Sequence, residues 1–300
     1  METTGKKCLL VTGASGFLGW NICRLATTRY KVIGICNTHS TGIDSITDVH
    51  GDLTDNNFRD RLFSDYSPDA VIHTAAAADP NFCQNHPDEA AAINVTATTA
   101  LARQCAAAGI PMLFTSTDLV FDGSHPSYRE EDAVNPLNRY GRQKAAAEKE
   151  ILSSHPDATV CRMPLMYGDA PAHAKSFIHP MITALQTGRN LTLFTDEYRT
   201  PASASDAATG LLLLLQKRVN GIYHLGGPER LSRYAIGCML ATIMNRQATI
   251  TPCLQSEVPM PAPRAADVSL DSARAAALGY RPHCMKDELE KLYCIRNASG

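Results

Sequence analysis

Two residues set the chemical question. Tyr140 and Lys144 stand four apart in YGRQK, at the start of a stretch whose pattern predicts a helix over Arg142–Ser153. That spacing puts both side chains on one helix face. An ammonium beside a phenol favours the phenolate, and lowering a tyrosine from about 10 to about 7 needs roughly 4 kcal/mol of differential interaction. Such a pair donates a proton to a carbonyl that receives a hydride, or serves as base in the reverse step. Surface Tyr/Lys pairs at this spacing are common, so the pair needs company. Ser116, Thr117 and Asp118 follow a strand expected over Pro111–Thr115, at the end where open parallel sheets bind ligands. Thr117 is the candidate hydroxyl that orients a substrate carbonyl. Asp118 is placed to hold a substrate hydroxyl or act as a second acid. Capping and turn formation is the bland reading of both.

A hydride needs a carrier. Gly13, Gly16 and Gly19 occur as GASGFLG, after an expected strand at Lys7–Thr12 and before an expected helix at Trp20–Tyr30. Side chains at the first two glycines would block a tight turn and close approach to a pyrophosphate. The third lets helix and strand pack, and the helix N-terminus faces the anion. Ser15, Phe17 and Leu18 complete this dinucleotide loop. An NAD site usually has Asp or Glu at the end of the second strand, which is expected here over Lys31–Cys36. The chain instead has Cys36, Asn37, Thr38 and His39, and its nearest acid is Asp44. Without a carboxylate to repel a 2′-phosphate, and with Asn37 and His39 available, the balance favours NADP(H), with NAD(H) as the alternative. No arginine supplies the usual strong anchor. Asp52 and Leu53 are candidates to flank the adenine, although Asp52 can equally cap a following helix. Thr74, Ala75 and Ala76 follow a strand expected at Asp69–His73, where small side chains admit a cofactor or simply pack closely.

The elements that must position these residues alternate. Further helices are expected near Asn57–Tyr66 and over Pro87–Ala108, and a strand over Thr159–Met163. Strands separated by helices argue for βαβ units and a parallel sheet covered on both faces. The fold class is α/β: a Rossmann-type doubly wound sheet in residues 1–163, then a smaller mixed α/β substrate lobe in 164–300. A strand near 221–226 is expected to return to the first sheet. In the second lobe the patterns predict helices at Phe177–Gln186, Ser205–Gln216 and Ser232–Met244, and strands at Leu191–Phe194 and Gly221–Leu225. Pro252–Pro263 reads as a loop.

Composition narrows the function. The 300 residues carry 28 Lys+Arg against 30 Asp+Glu, a formal charge of -2, so neither a basic nucleic-acid coat nor an acidic tail is present. The leucine run Leu211–Leu215 is far shorter than the roughly 20 residues that span a bilayer. The run Cys8–Val11 meets the glycine loop too early for an export signal. Ten scattered cysteines without a CxxC pair read as buried thiols in a reducing compartment, the cytoplasm, rather than a metal cage; no metal site is expected.

With these residues assembled, the chain resembles the extended short-chain dehydrogenases/reductases, most closely the dTDP-4-dehydrorhamnose reductase-like group. The matching pieces are GASGFLG, GDLTD at Gly51–Asp55, HTAA at His73–Ala76 and PNFCQNHPDEAAAINV at Pro80–Val95. STDLVFDG at Ser116–Gly123, YGRQKAAAE at Tyr140–Glu148, RMPLMYG at Arg162–Gly168, DEYRTPASASDAA from Asp196 and DVSLDSARAAALGY near the end continue the series. The resemblance covers essentially the whole chain. It implies a Thr117–Tyr140–Lys144 catalytic set, Asn94 supporting the lysine through a water, and Asp118 as the acidic residue after the threonine. It implies Met163 beside the nicotinamide and Arg199 in the substrate-side segment. Leu165 stands where the group more often has an aromatic residue, which departs from the pattern for a rhamnose precursor. The implied activity is NAD(P)H-dependent reduction of a keto group on a 4-keto-sugar nucleotide such as dTDP-4-dehydrorhamnose. The alternatives are a nucleotide-sugar epimerase or dehydratase that recycles its cofactor, and a non-catalytic regulatory subunit like the beta subunit of methionine adenosyltransferase. The resemblance and the alanine-rich stretches at Ala90–Ala108 and Ala145–Ile151 suggest a homodimer.

Overall fold

Apolar strands that end in turn residues build one central sheet. In the computed structural model, which describes residues 5–298, seven strands form it. They are β1 (Lys7–Thr12), β2 (Tyr30–Cys36), β3 (Thr47–His50), β4 (Ala70–His73), β5 (Met112–Thr117), β6 (Thr159–Met163) and β7 (Gly221–His224). Their spatial order is β7-β6-β5-β4-β1-β2-β3 and every pairing is parallel. The chain runs outward from β1 to β3, then returns past β1 to β4. This reversal opens a crevice at the carboxyl ends of β1 and β4.

Strands covered on both faces need continuous apolar runs, and KCLLVT and MLFTST supply them. Leu9, Val11 and Ile72 pack on one face with the helices Phe17–Ala26 and Ala204–Lys217, through Ile22, Leu211 and Leu214. Leu10, Ile33 and Phe114 pack on the other face with Leu101 and Ile151. A separate core of Tyr167, Ile178, Met181, Leu185, Ile236 and Leu240 holds the second lobe together. There the strands Leu191–Phe194 and Ile250–Cys253 pair in parallel.

Several expected boundaries move, each for a local reason. The first helix begins at Phe17, directly on the glycine loop, and ends at Ala26, because Tyr30 already opens β2. β5 runs through Thr117, so Ser116 and Thr117 are its last residues rather than the turn after it. The expected helix Pro87–Ala108 is divided into Pro87–Ala91, a wider π turn at Ala92–Ala97, and Thr98–Ala108. The strand β3 and the helix Pro80–Asn85, both polar in sequence, were outside the expected set. Ser232 caps the helix Arg233–Ile243 as expected from its type, accepting from the Ala235 amide. The proline-rich stretch gives its first two residues to the strand Ile250–Cys253. Among the described residues no helix is long and apolar enough to cross a membrane.

Candidate active site

The glycine loop is shaped by contacts that only glycine tolerates. Gly13 has a φ of +64°, and a Cβ there would lie 2.8 Å from the Ala75 amide nitrogen. A Cβ on Gly19 would lie 2.1 Å from the Gly13 carbonyl oxygen, so helix and strand could not approach as they do. Gly16 donates back to the Gly13 carbonyl at 2.9 Å and opens the helix with neither a side-chain cap nor an acid in its first turn. The amides of Phe17, Leu18 and Gly19 therefore have no intrahelical partner and face the crevice with the positive end of the helix dipole. This cradle suits a pyrophosphate, and the residues around it fit a dinucleotide.

The other proposed cofactor contacts lie at or after the carboxyl ends of β1, β2, β3, β4 and β6. Ser15 lies against the Cys36 thiol at the end of β2, and Asn37 and His39 follow, both exposed. Thr74 donates to the Thr12 carbonyl at 2.6 Å, which holds Ala75 beside Gly13, with Ala76 next in the chain. Leu53 packs under the sheet edge. Asp52 is exposed and accepts from the Thr54 amide at 2.8 Å. It closes a turn but does not cap the next helix; Asp55 does that, by accepting from the Asn57 amide. Met163 ends β6 beside Thr117, buried.

Across the crevice stand Thr117, Tyr140 and Lys144. The helix Arg139–Ser154 starts at Asn138, whose side chain accepts from the Gly141 amide. Gly141 lets this helix press on the turn after β5, since a Cβ there would meet the Leu119 carbonyl at 2.1 Å. That contact brings the Tyr140 side chain beside the Thr117 hydroxyl. Thr117 donates to Asp118 Oδ1 at 3.1 Å and accepts from the Leu119 amide. The Lys144 ammonium sits over the Phe114 ring, 4.0 Å from its centre.

The electrostatics reverse one expectation. Burial, with the Asp118 carboxylate and Cys83 nearby, raises the Tyr140 phenol above its ordinary range rather than lowering it. Burial also brings Lys144 down to about 7, against the pull of Glu148. Both groups sit in one dry cleft, where charge on either is disfavoured. Tyr140 is thus held protonated, the form a proton donor needs. Burial likewise pushes Asp118 up to about 6, opposed by Arg199 and Thr117.

Arg199 is buried and turned inward. It meets Asp118 Oδ2 at 3.5 Å and Glu197 Oε1 at 3.6 Å, and donates to the Tyr198 and Ala265 carbonyls. Glu197 also pairs with Arg233 at 2.9 Å. Its guanidinium thus fixes the Asp118 carboxylate. Asn94 sits in the π turn, fully buried. It accepts from the Ala77 amide at 2.9 Å and donates to the Ala77 carbonyl and to Gln143 Oε1, so its direct partner is the neighbour of Lys144.

Phe114, Gln143, Glu197 and His173 were not singled out from the sequence. The first two adjoin Thr115 and Lys144, and a search for what lines the Tyr–Lys face would have reached them. Glu197 and His173 carry no local signal, because their partners are far along the chain. Asp206, His283 and Glu288 come within 4.8 Å of one another elsewhere. There His283 meets Asp206 at 2.9 Å and Lys291 donates to Glu288, so these side chains are engaged with one another.

Comparison with known proteins decides the lineage. The RmlD substrate binding domain family matches residues 7–294. The chain belongs to this family. Its fold is that of an extended short-chain dehydrogenase/reductase with an NAD(P)-type dinucleotide cradle. It is similar to methionine adenosyltransferase 2 subunit beta of Bos taurus, 32% identical, covering 90% of this chain and 82% of the relative. It is also similar to the probable low-salt glycan biosynthesis reductase Agl14 of Haloferax volcanii, 31% identical over 94% of this chain and 96% of that protein. Among solved structures, a hypothetical dTDP-4-dehydrorhamnose reductase from Sulfolobus tokodaii superposes with a TM-score of 0.80 at 31% identity, covering 90% and 93% of the two chains.

Proposed function

We propose that this RmlD-family protein is an NAD(P)H-dependent reductase of a keto group on a 4-keto-sugar nucleotide, such as dTDP-4-dehydrorhamnose, with NADP(H) preferred. The observation that carries the reading is the convergence of Thr117, a protonated Tyr140 and Lys144 across the crevice from an open glycine cradle. The similarity to a glycan biosynthesis reductase supports it. The bound nicotinamide supplies a hydride. Gly13, Ser15, Gly16, Phe17, Leu18 and Gly19 hold the pyrophosphate. Asn37, His39, Asp52, Leu53 and Thr74–Ala76 border the adenosine side, and Met163 the nicotinamide side. Lys144 holds the ribose, and ribose hydroxyls oppose the burial that neutralises its ammonium. Thr117 steadies the substrate oxygen, Tyr140 gives its proton to the developing alkoxide, and Asp118 stands beside them as a second acid. Asn94 keeps the lysine's helix in register.

Residues 1–163 then act as the dinucleotide unit and 164–300 mainly as the substrate lobe. The nine described cysteines are free thiols, in keeping with a cytoplasmic protein. The homodimer follows family resemblance. A second reading, a regulatory subunit, is favoured by the 32% identity to methionine adenosyltransferase 2 subunit beta. The test is a panel of 4-keto-sugar nucleotides with NADPH and NADH, followed by absorbance. Net cofactor oxidation supports the reductase. Substrate conversion with no net oxidation points to an epimerase or dehydratase. Cofactor binding without turnover, with a changed rate in an added methionine adenosyltransferase, points to the regulatory subunit.

A further inference from the structure

We infer that His173, carried by the second lobe, joins His39 to read the 2′-phosphate of NADP(H). Three separate segments meet at this point. β2 ends at Cys36, and the turn after it exposes Asn37, Thr38 and His39. The segment after Gly168 crosses over the glycine loop and brings the His173 ring onto that of His39, with centres 4.4 Å apart and planes tilted by 25°. His173 Nε2 lies 2.8 Å from the Ser15 carbonyl oxygen. A carbonyl only accepts, so Nε2 carries the hydrogen. Nδ1 is then an acceptor in the neutral ring and a second donor in the charged one.

The place and the chemistry agree. In a doubly wound fold the group on the adenosine 2′ position lies beside the end of the second strand. A ribose hydroxyl gains little from two stacked imidazoles. A phosphate dianion pairs with an imidazolium, whose second ring N–H donates a charge-assisted hydrogen bond to it. The surrounding charges are otherwise engaged. Arg24 pairs with Asp169 at 3.7 Å, and Asp48 accepts from the Thr41 amide and hydroxyl. His50 bonds to Ser40 and to the Asn37 carbonyl. The crossing segment is braced to the first helix, where Asn21 donates to the Asp169 carbonyl at 2.9 Å. The geometry thus places two imidazoles where the turn after β2 has no arginine.

This inference rests on the dinucleotide reading, and the experiment separates the two. The probes are 2′,5′-ADP and 5′-AMP, which differ only by the 2′-phosphate, titrated calorimetrically into the full-length wild type and into His173→Ala, His173→Gln and His173→Arg. The Gln variant keeps an N–H for the Ser15 carbonyl but has no ring and no charge. Wild type should hold 2′,5′-ADP about tenfold tighter than 5′-AMP, the scale of one or two charge-assisted hydrogen bonds near solvent. His173→Ala and His173→Gln should bring that ratio close to one, with 5′-AMP affinity held within about twofold, and His173→Arg should restore it. An unchanged ratio in Ala and Gln overturns the inference, and so does a parallel loss of both ligands, which would make His173 a mere brace. Equal wild-type affinity for both probes overturns it while leaving the dinucleotide site intact. Binding of neither probe overturns both readings.

Discussion

Replacing Lys144 with methionine should destroy activity and, at neutral pH, make the protein more stable. The ammonium is buried and its pKa falls from 10.5 to about 7. Each unit corresponds to about 1.4 kcal/mol, so at pH 7 the folded chain carries on the order of 4 kcal/mol of strain for holding this lysine. Between pH 7 and 10.5 the unfolded chain keeps a proton on the residue that the folded chain has released. Wild-type stability therefore rises with pH through that window, and the penalty shrinks to on the order of 2 kcal/mol at pH 9. Methionine matches the length, removes the penalty and gives up the cation–π contact with Phe114, worth roughly 0.5–2 kcal/mol. Lys144→Met should therefore exceed wild type by about 2–3 kcal/mol at pH 7 and by little at pH 9. Urea unfolding of the cofactor-free proteins at both values measures this. A variant less stable than wild type at pH 7, or a gap that does not change with pH, would refute the reasoning. An opposite movement of stability and turnover is what a residue kept for chemistry produces.

Tyr140→Phe should leave dinucleotide affinity and fold intact and slow hydride transfer by about 10² to 10⁴-fold, checked by single-turnover kinetics with the substrate found in the panel. Thr117→Val should be milder, on the order of tenfold to 10²-fold in the same assay, because the phenol remains. Asp118→Asn tests the second acid: kcat/KM of the wild type should show an inflection near pH 6, where this buried carboxyl titrates, and the Asn variant should lack it. Gly19→Ala places a methyl 2.1 Å from the Gly13 carbonyl oxygen, so calorimetry should show a loss of roughly 10²-fold in dinucleotide affinity while far-UV dichroism stays native.

Where sequence and structure agree, the signal was local. β1, β6 and the strand Leu191–Phe194 keep their expected bounds because a turn, a charged residue or a proline stands close to each end. The glycine cradle was legible for the same reason: its three glycines answer one another within seven residues. β3 was missed because TDVH is half polar, as suits an edge strand with one open side. The break at Asn94 escaped because its side-chain partners are Ala77 and Gln143, distant in sequence, not its neighbours in an alanine-rich run. The charge relation of Tyr140 and Lys144 came out reversed because spacing reports proximity and says nothing of water. Burial, decided by the whole fold, is the largest cause of both shifts.

The buried chain of charges from Asp118 through Arg199 and Glu197 to Arg233 also bears on how the protein comes apart. Asp118 follows β5 of the central sheet, whereas Arg199, Glu197 and Arg233 lie beyond β6, and β7, encoded among them, returns to pair with β6. Pulling the lobes apart would strand a carboxylate on one side and leave an excess guanidinium on the other, a change that costs several kcal/mol when one partner of a buried pair is removed. It would also strip an edge strand from the sheet. Unfolding should therefore proceed as one cooperative event, with both lobes melting together. A chain cut after Met163 would lose its binding surface and, with it, the conditions under which its own sheet is stable.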